Sequence, residues 1–324
     1  MASARGSARR LFLGLDVGAT KTLVLLTQGR QRVLGQQLLT TAARDGPEAV
    51  VQQLLSAIDR VLVRVEARRQ DVAGVGVGFA GWCDLQGTVL AAPNMTGWRS
   101  VPLRAILEEL TGVPVAVGND ANMAALAEAR MGAGRGFRDL VYVTVSTGIG
   151  GGIVAGGRLL MGASGMAGEI GHLVVAPDGP RCGCGSHGCL EAMASGSAIA
   201  REAHQRLALA PGSRASPIAA QEVFEWARAG DRGAQEVITR ASRFLGIGLR
   251  NVVNLLNPQA IVIGGGLSQQ WKEYVEPALQ VMRAAASGGD EREVQVLPAA
   301  LGERSTALGA ILWLQRVLRH TARS

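Results

Sequence analysis

Two stretches of the chain share one pattern: LGLDVGATKTLVLL at residues 13–26 and VTVSTGIGGGIVAG at residues 143–156. Each is an apolar alternation, a polar turn built from Gly, Ser and Thr, and a second apolar run, which is how a β-hairpin reads in sequence. Sliding one stretch onto the other pairs Asp16 with Ser146 and Gly18 with Gly148. A hairpin that recurs in this way suggests two related halves, expected to face each other across a cleft. Helix-like stretches at residues 48–69, 101–110, 121–130, 196–209, 219–229 and 234–256 are interleaved with strand-like stretches at 72–79 and 113–117. The strand AIVIGGG follows, then a helix with Ser268 as its expected N-cap, a strand at 293–297 and a last helix at about 305–318. This alternation predicts α/β architecture, and 324 residues are ample for two domains.

The glycine turns point to phosphate binding. In DVGATK the backbone N–H groups near Gly18 are accessible because the neighbouring side chains are small. Thr20 adds a hydroxyl, Lys21 a cation, and Asp16 a carboxylate able to hold a metal-bound water. STGIGGG (Ser146, Thr147, Gly148, Gly150) and the turn at Gly264 and Gly265 offer two further cradles. GVGFAG at residues 76–81 matches the dinucleotide fingerprint in spacing alone. The segment after it, WCDLQGTV, reads as a turn and a strand, where that fingerprint requires a helix.

GNDANMAAL places Asp120 at the start of a helix. An Asp there serves either as an N-cap or as a general base, its ionised form favoured by the helix N-terminus. In the second reading Asn119 grips a neighbouring substrate hydroxyl.

Three of the four cysteines, Cys182, Cys184 and Cys189, lie in CGCGSHGCLE. They cannot all pair in one disulfide, Cys83 is remote in sequence, and a chain of this length without a signal peptide is expected in the cytosol, where disulfides are rare. Clustered thiolates suit a tetrahedral structural Zn²⁺. The fourth ligand is His187, inside the turn, or His172, in GEIGH. His187 would close a very tight ring, whereas His172 begins an expected strand and approaches from outside the loop, so His172 is taken as the ligand. A metal joining His172 to the cysteine turn also draws Glu169 and Glu191 into one wall. Two carboxylates and an imidazole edge suit the reading of sugar hydroxyls.

A net charge of +7 would fit a nucleic-acid binder. The arginines, however, are scattered along the expected helices with few aromatics between them, which favours a solvated basic surface. No stretch reads as a membrane helix: the uncharged run at residues 140–157, for one, carries six glycines.

Taken in order, DVGATK, NDAN, STGIGGG, GEIGH and CGCGSHGCLE resemble the ROK family of sugar kinases and sugar-responsive repressors, over nearly the whole chain from Leu11. The resemblance implies an actin-like, hexokinase-type (RNase H-like) pair of α/β domains. A disordered leader would cover residues 1–10. A small domain would cover 11–121, joined by the C-terminal helix at about 303–324, and a large domain with the zinc loop would cover 122–302. Carried over by motif, it makes Asp120 the base; Asn119, Glu169, His172 and Glu191 sugar contacts, with Asn94 and Gly81 as further ones; and His172, Cys182, Cys184 and Cys189 the zinc ligands. ATP with Mg²⁺ would lie on the glycine turns. The family's first glycine motif has two adjacent glycines, and here Ala19 replaces the second.

The family's repressors carry a winged-helix domain ahead of the sugar domain. About ten residues precede the first expected strand, so the reading is a kinase, with a non-catalytic sugar sensor as the alternative of another class. The expected substrate is glucose, phosphorylated at its 6-hydroxyl, with N-acetylmannosamine and N-acetylglucosamine as alternatives and polyphosphate as an open donor. A cytoplasmic homodimer or dimer of dimers, without nucleic-acid or membrane partners, completes the expectation.

Overall fold

The computed structural model describes residues 10–207, 218–284 and 294–321. The leader expected at residues 1–10 lies outside these except for Arg10, as do the last residues of the 196–209 and 303–324 segments. The chain divides into two compact units. One gathers the described parts of Met1–Arg138, Gly152–Gly168 and Ala300–Ser324, the other those of Asp139–Gly151 and Glu169–Ala299.

In the first unit β1 (Leu11–Val17), β2 (Lys21–Gln28), β3 (Arg32–Thr40) and β4 (Val72–Phe79) precede a small sheet of β5 (Trp82–Cys83), β6 (Val89–Ala91) and β7 (Arg99–Val101), and then β8 (Val115–Asn119). The main sheet has the order β3-β2-β1-β4-β8. β1 and β2 form the first expected hairpin, with Asp16 opposite Leu23, while β4 and β8 run parallel to β1 and to each other. The second hairpin is β9 (Leu140–Val145) and β10 (Ile149–Ala155), followed by β11 (Arg158–Leu159), β12 (Ala260–Gly264) and β13 (Gln295–Pro298). This sheet has the order β11-β10-β9-β12-β13, with β12 parallel to β9 and β13. Position by position the two orders are the same, so the repeated hairpin is the visible part of a repeated sheet. This doubled RNase H-like order is the expected fold class.

β1, β4 and β8 are buried almost throughout, as expected for parallel strands covered on both faces. On one side α1 (Gly46–Arg64) lays Val50, Leu54, Ile58 and Val61 on the core, the spacing of a single helical face. On the other side the C-terminal helix, Ser305–Thr321, comes so close that a Cβ at Gly76 would stand 2.1 Å from the carbonyl oxygen of Ala310. This close approach explains two glycines of GVGFAG: Gly76 admits the helix backbone onto the sheet, and Gly78 makes room for the Thr306 side chain of the same helix.

α2 (Leu103–Thr111) ends at Gly112, whose φ of 71° provides the left-handed stop. The helix after β8, α3 (Asp120–Met131), is buried at every position from Ala121 to Glu128, wedged against the C-terminal helix. Its N-cap is Asn119, whose Oδ1 accepts from the Asn122 N–H at 3.0 Å, so Asp120 is the first residue of the helix. The fully buried Glu128 carboxylate accepts from the N–H groups of Ala133, Ala300 and Leu301 at 2.9, 3.1 and 2.9 Å and from the Ser305 hydroxyl at 3.1 Å. It thereby ties the end of α3 to the segment leading into the C-terminal helix. The boundary read from the sequence at 121/122 differs from this division, because α3 packs with the first unit. The 48–69 helix stops at Arg64, and Glu66 takes a left-handed φ of 55°.

The second unit adds α4 (Leu190–Ala194), α5 (Gly196–Leu207), α6 (Ala220–Arg228), α7 (Arg232–Leu256) and α8 (Glu276–Arg283). With these numbered, the C-terminal helix is α9. Ser268 does not cap a helix: it lies within a 3-10 turn, Gly266–Gln269, and its hydroxyl donates to the Gly265 carbonyl at 2.7 Å. Among the described residues no helix is long and apolar enough to cross a membrane.

Replacing Glu128 with Gln leaves one oxygen for donors that now meet an amide N–H₂. Glu128→Gln should lower the free energy of unfolding by about 3 kcal/mol in chemical denaturation. A loss below about 0.5 kcal/mol would mean the buried carboxylate does not hold this corner together.

Candidate functional site

In the first unit the parallel strands end side by side. Register pairs Val17 with Phe79 and Phe79 with Asn119, so the DVGATK turn, Gly81 and the Asn119–Asp120 pair leave one edge of the sheet. Ligand sites in parallel sheets gather at such carboxyl ends. Gly18 N–H donates to the Lys21 carbonyl at 3.0 Å, closing the turn that exposes Thr20 and Lys21. Asn119 Nδ2 donates to the Gly81 carbonyl at 3.2 Å and to Asp120 Oδ1 at 3.0 Å. Asp120 Oδ1 also accepts from the Ala121 N–H at 2.8 Å, which fixes the carboxylate at the helix start. Gly81 packs on Ala91 and Ala92, leaving no room for a side chain, and Asn94 is exposed in the turn just beyond.

Lys21 Nζ pairs with Glu303, a partner the sequence does not signal. Both side chains are more than half exposed, so the pair is weak and easily exchanged for another anion. Asp16 is half-buried beneath this turn. Burial first, and then the Asp120 charge, push its carboxyl up to about 8; Lys21 pulls the other way and Glu303 adds to the rise. Two carboxylates that resist joint ionisation are suited to sharing a cation.

In the second unit a candidate metal centre takes shape. His172, Cys182, Cys184 and Cys189 each offer a ligand atom, and these four atoms lie within 4.8 Å of one another. The backbone builds the cluster. Val174 and Cys189 form an antiparallel bridge, and Leu190 N–H donates to the Leu173 carbonyl at 2.8 Å, so the residues after His172 run alongside the cysteine loop. Gly188 makes this approach possible, with a left-handed φ of 64° and a Cβ position already filled by the Ala176 carbonyl. His172 itself closes a 3-10 turn, Ile170–His172, where the sequence suggested a strand start.

Cys182 Sγ lies 3.7 Å from His172 Nδ1, and Cys184 Sγ lies 3.6 Å from Cys189 Sγ. A tetrahedron with zinc–sulfur bonds of about 2.3 Å has edges of about 3.8 Å, and no disulfide joins these cysteines. The donor set therefore fits zinc in both chemistry and spacing. Burial, with the neighbouring thiols adding to it, pushes Cys189 up to about 12, so three thiolates here call for a cation. His187 is exposed and outside the cluster.

The other imidazole nitrogen, Nε2, faces Glu169 at 3.7 Å. Glu191 reaches the glycine turn: its Oε2 accepts from the Ile149 N–H at 3.0 Å, and Oε1 lies 3.9 Å from Cys182 Sγ. A Cβ at Gly148 would stand 2.4 Å from Glu191 Oε2, so this glycine makes room for a carboxylate. Ser146 and Thr147 are exposed, and their carbonyls accept from the N–H groups of Gly196 and Ser197 at 2.8 and 3.1 Å. Gly150, on β10, is half-buried. The turn at Gly264 and Gly265 is adjacent, since Gly264 pairs with Thr144 and Gly265 abuts the Val145 carbonyl.

The doubled sheet order places the chain in the actin-like, hexokinase-type class. A model of the ROK family matches residues 12–317. The glucokinase of Halalkalibacterium halodurans is 39% identical over 288 residues, 86% of either chain. The N-acetylmannosamine kinase of Shigella flexneri is 36% identical over 308 residues, 94% of this chain and 98% of its own. The crystal structure of a ROK family glucokinase from Streptomyces griseus in complex with glucose and AMPPNP superposes with a TM-score of 0.82 at 37% identity, covering 94% of this chain and 99% of that one. The chain belongs to the ROK family.

The raised Asp16 carboxyl has a signed consequence. The folded chain holds this proton more tightly than the unfolded one, so the stability owed to it is full below about pH 4 and is lost progressively up to about pH 8. Without ligands, Asp16→Asn should therefore gain in unfolding midpoint relative to the native chain as pH rises across that window. A difference that does not vary with pH would contradict the assignment.

Proposed function

We propose that the chain is an ATP-dependent hexose kinase of glucokinase type, transferring the γ-phosphoryl group of ATP to the 6-hydroxyl of glucose. The observation that carries this reading is the fixed Asp120 carboxylate beside the DVGATK turn, in a chain 37% identical to a kinase solved with glucose and an ATP analogue. Asp120 accepts the hydroxyl proton as the new O–P bond forms and the bond to the ADP oxygen breaks. Asn119, Glu169, His172 through Nε2, and Glu191 hold the sugar hydroxyls, with Gly81 and Asn94 as further contacts.

Lys21 exchanges Glu303 for phosphate oxygens. The turn amides at Gly18, Gly148, Gly150, Gly264 and Gly265, with the hydroxyls of Thr20, Ser146 and Thr147, receive the remaining phosphate charge. Asp16 would hold Mg²⁺, which would supply neutralisation of that charge. His172, Cys182, Cys184 and Cys189 would hold a structural Zn²⁺, and four protein ligands would leave it no open position for catalysis. We read the enzyme as cytoplasmic, acting in glycolytic carbohydrate metabolism, and as a homodimer or dimer of dimers, which is what the family resemblance implies. A second reading, N-acetylmannosamine kinase, is favoured by the 36% identity to such an enzyme across 94% of the chain.

Asp120→Ala should lower kcat by roughly two to four orders of magnitude while calorimetric glucose affinity stays within a few-fold; near-native turnover would remove Asp120 as base. Across a panel of hexoses and N-acetylhexosamines with ATP and Mg²⁺, glucose should give the highest kcat/KM. A higher value for N-acetylmannosamine would select the second reading. His172→Ala should lose the zinc that purified native chain carries, and His187→Ala should keep it. The opposite pattern would reverse the choice of ligand.

A further inference from the structure

A cavity of about 600 Å³ opens in the first unit, away from every residue assigned above. Four arginines line it, Arg30, Arg130, Arg316 and Arg319, and among the described residues no acidic side chain does. They come from three elements: Arg30 from the turn between β2 and β3, Arg130 from the last turn of α3, and Arg316 and Arg319 from α9. Leu126, Met131 and Leu312 add apolar surface to the lining. The volume lies in the range of small-molecule sites, roughly 300–1,000 Å³.

Basic residues near helix C-termini ordinarily complement the helix dipole, and that is the rival explanation. Its magnitude falls short. Two helix ends contribute roughly half a negative charge each, about one in total against four guanidiniums. None of the four arginines is in an ion pair among the described residues. Two are already held in place: Arg130 donates to the Gly157 carbonyl at 2.7 Å, and Arg316 lies over the Trp313 ring at 5.5 Å. Held guanidiniums in a lining shared with apolar side chains favour phosphoryl oxygens, which accept their paired N–H groups in a fork.

We propose that this cavity is a binding site for a small anion carrying two or more phosphoryl groups, distinct from the glycine turns. α3 is 12 residues long, which places Arg130 about 15 Å along the helix from Asp120. β2 is 8 residues long, which places Arg30 about 25 Å or more from Lys21. An occupant therefore touches the far ends of elements whose near ends carry Lys21 and Asp120. Any effect on the kinase rests on the proposed function; the binding itself does not.

Calorimetric titration of the full chain with inorganic tripolyphosphate, in magnesium-free buffer at low salt, tests the site. The native chain should show two classes of binding, one at the glycine turns and one at the cavity. The double variant Arg30→Gln/Arg319→Gln should lose the second class or weaken it at least tenfold. Arg64→Gln/Arg232→Gln, which removes the same charge from exposed positions elsewhere, should keep both. If the cavity variant does not fold by circular dichroism, Arg319→Gln alone replaces it and should weaken the second class several-fold. Matching isotherms for the native chain and the cavity variant would overturn the proposal, and so would equal weakening in both double variants, since general surface charge would then account for the binding.

Discussion

Three thiols and an imidazole with donor atoms inside 4.8 Å are an uncomfortable set of neighbours without a cation. Burial disfavours each thiolate, and although hydrogen bonds pull Cys184 down, Cys182 and Cys189 are pushed up. A divalent ion reverses this, because it deprotonates the sulfurs and binds them in one step. The consequences reach past the ligands. His172 turns Nδ1 towards the sulfurs and Nε2 towards Glu169, while Glu191, two residues after Cys189, spans from Cys182 to the backbone of the glycine turn. The proposed zinc would thus set the orientation of an imidazole, a carboxylate and the glycine turn together, which is how metal-bound residues orient those around them.

The first unit reaches comparable rigidity by close backbone packing. Gly14 and Gly76 let α9 rest on β1 and β4 with no side chains between, and Glu128 joins the end of α3 to the approach of α9. α3 is therefore held at both ends, by the Asn119 cap and by this buried carboxylate. Asp120, on the first turn of a helix held at both ends, is placed by its scaffold, as the proposed role of general base requires.

Much of this was legible in the sequence where the determining contacts are short in range. The hairpins could be read because alternation and glycine turns are local, and the cysteine cluster because three ligands fall within eight residues. The choice of His172 over His187 rested on ring closure, and the Val174–Cys189 bridge supplies the backbone reason for it. Other features stayed hidden because their partners are far away in the chain. Nothing near Lys21 signals Glu303, and nothing near Glu128 signals Ala300. Ser268 misled because its hydroxyl turns back to Gly265 and builds a 3-10 turn instead of a cap. The arginine-lined cavity could not be read at all, since residues 30, 130 and 316 meet only in the folded chain.

X-ray absorption at the zinc edge on the purified chain tests the central claim most directly. The account predicts one zinc per chain, with three sulfurs at about 2.3 Å and one nitrogen at about 2.0 Å. A spectrum dominated by oxygen ligands, or sulfurs that carry no metal, would contradict it.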